Sequence, residues 1–101
     1  MDLVRDFRRG AVRLHVLFHA ATEEVYGAEI AQELARHGHV VSPGTLYPLL
    51  HDLEADGDLA SRVVTVDGHR RRCYRLTARG RRTLASCVAA LRELSDEVLG
   101  T

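Results

Sequence analysis

The chain has no tryptophan and only five aromatic residues in 101, so a pocket of stacked rings for a flat drug-like or phenolic ligand is poorly provided for. Its two cysteines, Cys73 and Cys87, are too few for a secreted disulfide framework and are expected to be free thiols in a reducing cytoplasm. The longest apolar run without a formal charge, residues 14–21, is far below the ~20 residues of a membrane span and is interrupted by two histidines. No apolar stretch of secretory type follows Asp2, Arg5 and Asp6, which argues against a leader peptide and against any membrane role. Internal repeats, low-complexity tracts and long linkers are all missing. So are the arrangements that enzymes need: no Ser/His/Asp or Cys/His set can be placed, no glycine loop cradles a phosphate, and no carboxylates pair in an apolar setting. What remains is a cytoplasmic, non-enzymatic domain with a modest core, of a size that a second subunit would help to stabilise.

Lysine is absent as well, and the net charge is zero. Zero charge taken alone argues against a nucleic-acid partner, but the arginines are unevenly spread. Residues 61–82 carry eight arginines against the single acid Asp67, a net of +7, whereas residues 1–57 carry five arginines against nine acids, a net of −4. A basic stripe on a neutral chain is a local electrostatic footprint.

Periodicity places the elements. Leu14, Leu17, Phe18 and Ala21 share one face of a helix over residues 4–21, with Gly10 a weak point, and Thr22, Glu23 and Glu24 read as a connection. A second helix spans 28–36, with Ile30 and Leu34 inward and Gly38 as its stop. Ser42 is a candidate N-cap, Pro43 fills the first helical position, and Leu46, Leu49, Leu50 and Leu53 recur at helical spacing over 43–56. The opposite side of that helix carries Gly44, Thr45, Tyr47 and His51, while Pro48 removes one helical hydrogen bond and loosens the helix locally. Strands over 59–66 and 71–76 flank Asp67-Gly68, a strong hairpin signal. Thr77 caps a last helix in which Leu84, Val88, Leu91, Leu94 or Ser95, and Val98 return at steps of three and four, the pattern of a seam between helices.

The run VSPGTLYPLLHDLEADG followed by GHRRRCYRLTARGR resembles the signature of the PadR family of transcriptional regulators, a likeness that spans residues 11–82. The resemblance implies a mainly α (α+β) winged helix-turn-helix with a two-stranded β wing over residues 1–77. It also implies a dimerisation helix over 78–101, as in the small subfamily with a single C-terminal helix, and repression modulated by an effector. A helix of this kind enters the major groove. The DNA-contacting candidates are therefore Ser42, Gly44, Thr45, Tyr47, Pro48 and His51 on the helix, and His69, Arg70, Arg71 and Arg72 at the wing tip. Ser42 and Pro43 have the competing role of plain capping, and Tyr47 that of a half-buried surface ring. Helix 43–56 exposes no Asn, Gln or Arg, so bidentate base contacts there are scarce and selectivity leans on thymine methyls, DNA shape and the wing. Strand alternation sends Arg70 and Arg72 one way and Arg71, Cys73 and Arg75 the other, so not all can face DNA. A homodimer with recognition helices about 34 Å apart would require an inverted-repeat operator in double-stranded DNA. The competing reading is a winged-helix protein-interaction module with no DNA role.

Six histidines are a surplus for 101 residues. His15 and His19 lie four apart with Glu23 a turn further, a candidate set for a divalent metal such as zinc, cadmium or copper. Further ligands would come from Glu93, Asp96, Glu97 or Cys87 of a partner's last helix. The family pattern commonly has apolar residues at the helix positions of His15 and His19. The plainer alternative is two partly buried histidines bonded to backbone or carboxylates. Val16 stands where the zinc-protease helix needs its glutamate, so that enzyme reading fails. His37 and His39, flanking Gly38, could contact phosphate, bind metal or merely line a turn, the last being the simplest reading, and Cys87 is better read as a small residue in a helix seam than as a redox switch.

Overall fold

The computed structural model describes residues 1–100. Helix α1 (Leu3–Thr22) opens with the Asp2 carboxylate accepting the Arg5 N–H at 3.0 Å and buries Val12, Val16, Leu17 and Ala20 on one face. It stops at Thr22, because Glu23 is fully extended (φ −160°, ψ 166°). Strand β1 (Val25–Tyr26) follows, an element too short to carry a periodic signal, and leads into α2 (Gly27–Arg36), whose start is fixed by the Tyr26 N–H donating to the Glu29 carboxylate at 2.8 Å. Gly38, at φ +85°, closes α2: the His39 N–H turns back to the Leu34 carbonyl at 2.8 Å. Helix α3 spans Pro43–Ala55, and Gly57, φ +86°, turns the chain away just past its Asp56 cap.

Strands β2 (Leu59–Val66) and β3 (His69–Leu76) pair antiparallel from Leu59↔Leu76 to Val66↔His69. They meet at Asp67 and Gly68, both at positive φ (51° and 77°) as a primed two-residue turn demands. The two-stranded wing is therefore present as expected, and a short third strand extends its sheet. β1 pairs with β3 through Val25↔Tyr74 and Tyr26↔Cys73, giving a three-stranded sheet of order β1-β3-β2, and β3 begins at His69 rather than at residue 71. Val16, Ile30, Leu34, Leu46, Leu50 and Leu59 are fully buried where α1, α2, α3 and the sheet meet. Each such side chain contributes about 1.5–3 kcal/mol through burial, and together they set α3 across α2 as the second helix of a helix-turn-helix.

Helix α4 (Ala78–Leu99) is anchored at its start and packs its first half along α1. The Thr77 hydroxyl donates to the Gly57 carbonyl at 2.6 Å and accepts the Gly80 N–H at 2.9 Å. Beside it the buried Asp58 receives the Thr83 hydroxyl at 2.7 Å, with Arg79 Nε 3.7 Å from the same oxygen. Gly80 lies so close that a Cβ there would run into the Asp58 carbonyl oxygen and Leu76 Cδ1. Beyond this junction Leu84 packs on the core and Val88 is half-buried, while Leu91, Leu94 and Val98 are exposed, as are Leu3, Val4 and Phe7 at the start of α1. No helix among the described residues is long and apolar enough to cross a membrane.

Candidate nucleic-acid interface

One side of α3 is core and the other is open. Leu46, Leu49, Leu50 and Leu53 are buried, and Ser42, Gly44, Thr45, Tyr47, Pro48 and His51 are all exposed. Ser42 takes the extended N-cap backbone, and its carbonyl accepts the Thr45 and Leu46 N–H groups at 3.0 and 2.8 Å. Its hydroxyl does not cap a backbone amide; it lies 3.3 Å from the Thr45 hydroxyl, so two hydroxyls sit together at the mouth of the helix. The Gly44 amide has no partner among the described residues, and Pro48 has no N–H to give to the Gly44 carbonyl one turn back. The first turn thus presents polar backbone and two hydroxyls outward, the combination that receives a phosphate or a base edge. Tyr47 is held over the start of α2, where Gly27 makes room: a Cβ there would lie 3.0 Å from Tyr47 Cε1.

The wing tip, His69 to Arg72, is exposed throughout. Pairing of Ser61 with Tyr74 puts Ser61, Tyr74, Arg72 and Arg70 on one face of the sheet. On that face Arg72 Nη1 donates to Ser61 Oγ at 3.0 Å, and Ser61 Oγ donates to the Glu54 carboxylate of α3 at 2.8 Å. A side-chain relay therefore ties the wing to α3. Arg71 points the other way and stacks over the Tyr26 ring, 5.3 Å from its centroid. Arg62 is taken up by Glu24, to which its Nε and Nη2 donate at 3.0 and 2.8 Å. Those hydrogen bonds hold the Glu24 carboxyl below its usual range and raise the Arg62 guanidinium. A further basic surface was hidden in the sequence: Arg5, Arg8, Arg9 and Arg13 of α1 line an open groove whose other wall includes Ser42 and Thr45.

The histidines assemble differently from the expected set. His15 and His19 face each other with ring centroids 5.2 Å apart, but their neighbours are His37, 4.7 Å from His15, and His39, 5.7 Å from His15. Glu23 is exposed and lies past the end of α1, where the extended backbone breaks the helical phase that would have stacked it on His19. Candidate ligand nitrogens of His15, His19 and His37 all lie within 4.8 Å of one another. Two buried ring nitrogens, His15 Nδ1 and His19 Nε2, have no hydrogen-bond partner.

Burial lowers the His15 pKa from 6.5, and His19, His37 and His39 push it the same way, with Glu33 opposing. The folded pKa lies below the unfolded one, so the unfolded chain takes the proton first. The contribution to stability is complete above about pH 6.5 and is lost as pH falls through the folded value. Metal-free protein in chelator is therefore expected to lose urea resistance between pH 7.5 and 5.5 more steeply than His15→Gln; parallel losses would show that His15 is not the group responsible.

A family model described as "Transcriptional regulator PadR-like family" matches residues 16–86. Over 97 residues, 96% of this chain and 91% of the relative, the sequence is 60% identical to the transcriptional regulator Rv3488 of Mycobacterium tuberculosis. Among solved structures, a PadR-like transcription factor from Bacteroides fragilis superposes with a TM-score of 0.84 at 32% identity, covering 98% of each chain. A PadR family regulator from Eggerthella lenta gives 0.83 at 36% identity, covering 95% of this chain and 85% of that one.

Proposed function

We propose, because this chain belongs to the PadR-like family of transcriptional regulators, that it acts in the cytoplasm as a homodimeric repressor on inverted-repeat operators in double-stranded DNA, with a divalent transition metal as effector. It is a regulator and not an enzyme. The observation that carries the reading is the open first turn of α3 together with an exposed arginine wing tip, whose Arg72 is tied through Ser61 to Glu54 in the last turn of the same helix. In a complex, the Gly44 amide and the Ser42 and Thr45 hydroxyls meet phosphate and base edges, Tyr47 offers its ring to a thymine methyl, and the wing arginines enter the narrower groove.

Fluorescence anisotropy against DNA from upstream of the gene, at two salt concentrations, tests this directly. Tight, selective, salt-steep binding is expected; weak unselective binding would move the reading to a protein-interaction module. The exposed Leu91, Leu94 and Val98, with Leu3, Val4 and Phe7 of α1, supply the apolar surface for a second copy. Leu94→Glu is expected to give a monomer in sedimentation velocity. A monomer reaches one half-site at a time, so its affinity for the full operator should fall by about 100-fold or more. A Leu94→Glu protein that stays dimeric would show that the α4 stripe is not the seam.

A further inference from the structure

We propose that His15, His19, His37 and His39 form a single divalent-metal site inside one subunit, and that metal there fastens the turn between α2 and α3 to α1. This deepens the metal-effector reading above and rests on it. It replaces a site bridging two subunits with one that is complete in each.

The donors come from two places that only the fold brings together. His15 and His19 are one helical turn apart on α1, so their rings project to the same side. The second pair belongs to the chain reversal that ends α2. Gly38 adopts a conformation that favours glycine, and the His39 N–H bonds back to the Leu34 carbonyl at 2.8 Å. That closure brings both residues flanking Gly38 to His15, at ring separations of 4.7 and 5.7 Å, with His37 also 6.3 Å from His19. An open helix end would have carried His39 away.

Buried polar atoms in folded proteins are almost always partnered. Here two imidazole nitrogens, His15 Nδ1 and His19 Nε2, are buried without a hydrogen bond, on the two rings that face each other at 5.2 Å. A cation shared with His37, whose nitrogen lies within 4.8 Å of the ligand atoms of His15 and His19, accounts for a cluster that hydrogen bonding leaves unsatisfied; His39, outside that set but 5.7 Å ring to ring from His15, is the fourth ligand that a bound ion would draw in. An all-imidazole set suits zinc, cobalt, nickel, copper and cadmium and offers nothing to magnesium or calcium, which require oxygen.

The position of the site gives it a consequence. His39 lies three residues before Ser42, where α3 begins, and only Val40 and Val41 intervene. Metal ligated at both His37 and His39 fixes the segment that sets the angle of the recognition helix, and fixes it against α1.

Three measurements on the full-length protein decide the matter. Calorimetric titration with Zn²⁺ is expected to give one ion per subunit, and His37→Gln and His39→Gln should each weaken binding about tenfold or more while leaving circular dichroism and dimer mass unchanged. Mixing the His15→Gln/His19→Gln protein with the His37→Gln/His39→Gln protein under subunit exchange should not restore tight binding, since neither chain holds a whole site; restoration would mean that the site is shared between subunits and would overturn the proposal. Hydrogen exchange with Zn²⁺ should slow at residues 37–42 and not along α4, and protection confined to α4 would likewise overturn it. The parent reading fails separately. If the site fills and protects the turn as stated but operator affinity moves less than about fivefold, the lower end of ordinary coupling, the metal is a structural ion and not an effector.

Discussion

Replacing Arg70 and Arg72 together with alanine is expected to weaken operator binding by about 100-fold and to flatten the log–log salt dependence by about two, whereas Arg71→Ala and Arg62→Ala should change either quantity far less. The contrast follows from which arginines are free to face DNA. Arg70 and Arg72 lie on the sheet face that carries Ser61 and looks toward α3, and Arg72 is held there by the Ser61 hydroxyl. Arg71 is on the opposite face against Tyr26, and Arg62 is neutralised by Glu24. Each phosphate released from its counterions contributes about 0.9 to the salt slope, and each tenfold in affinity is about 1.4 kcal/mol, close to the lower end of what one charge-assisted hydrogen bond contributes. Anisotropy titrations between 50 and 200 mM salt, chosen from the range over which such slopes are resolved, read both numbers. Should Arg71→Ala prove the more damaging change, DNA would lie against the β1 side of the sheet and not on the face that the wing shares with α3.

Gly80→Ala should be the most destabilising small change in the chain, by about 3 kcal/mol, which for a domain of this size lowers Tm by roughly 10–20 °C. The added methyl meets the Asp58 carbonyl oxygen and Leu76 Cδ1. The side chain could give way, but the carbonyl cannot. Its oxygen accepts the Thr77 N–H at 3.1 Å, and its residue is held further by its own N–H on the Leu53 carbonyl at 3.0 Å and by the Thr83 hydroxyl on its carboxylate. Gly10→Ala is the matched control, because a Cβ at Gly10 meets nothing within 4 Å and alanine in a helix interior gains up to about 1 kcal/mol over glycine. Both are to be compared by thermal denaturation at one protein concentration, since in the proposed dimer Tm would depend on it. Equal Tm values for the two variants would mean that α4 can shift off Asp58 at little cost.

Much of this was legible in the sequence because it is local. The leucine spacing of α3, the Pro43 start, the Asp67-Gly68 turn and the strand alternation that separates Arg70 and Arg72 from Arg71 all depend on neighbours within a turn or a strand. What escaped depends on distance in space. β1 is two residues long and is visible only as the partner of β3. Counting charge along residues 1–57 gave an acidic total and concealed Arg5, Arg8, Arg9 and Arg13, which the helix gathers along a groove beside Ser42. Asp58 stands out in no sequence pattern, yet it is the one charged residue buried among those described. His37 and His39 meet His15 across more than twenty residues of chain, so only the fold could show that they, and not Glu23, neighbour its ring. Ser42 capped the helix through its backbone as expected, but the hydroxyl chose Thr45, a decision between two bonds of similar strength that no pattern encodes.

The junction at Asp58 and Gly80 makes a lever of α4. A helix of its length reaches about 33 Å, and its near end is pinned directly to the last turn of α3, through Gly57 and Asp58, with no slack loop between. A change of about 5° in how two such arms cross at the far end corresponds, over about 33 Å, to a displacement of roughly 3 Å at the pinned end. Adjacent major grooves on one face of DNA repeat at about 34 Å, so in the proposed dimer a paired set of arms would work like callipers, whose small adjustment at the handle decides whether both tips still fit the work.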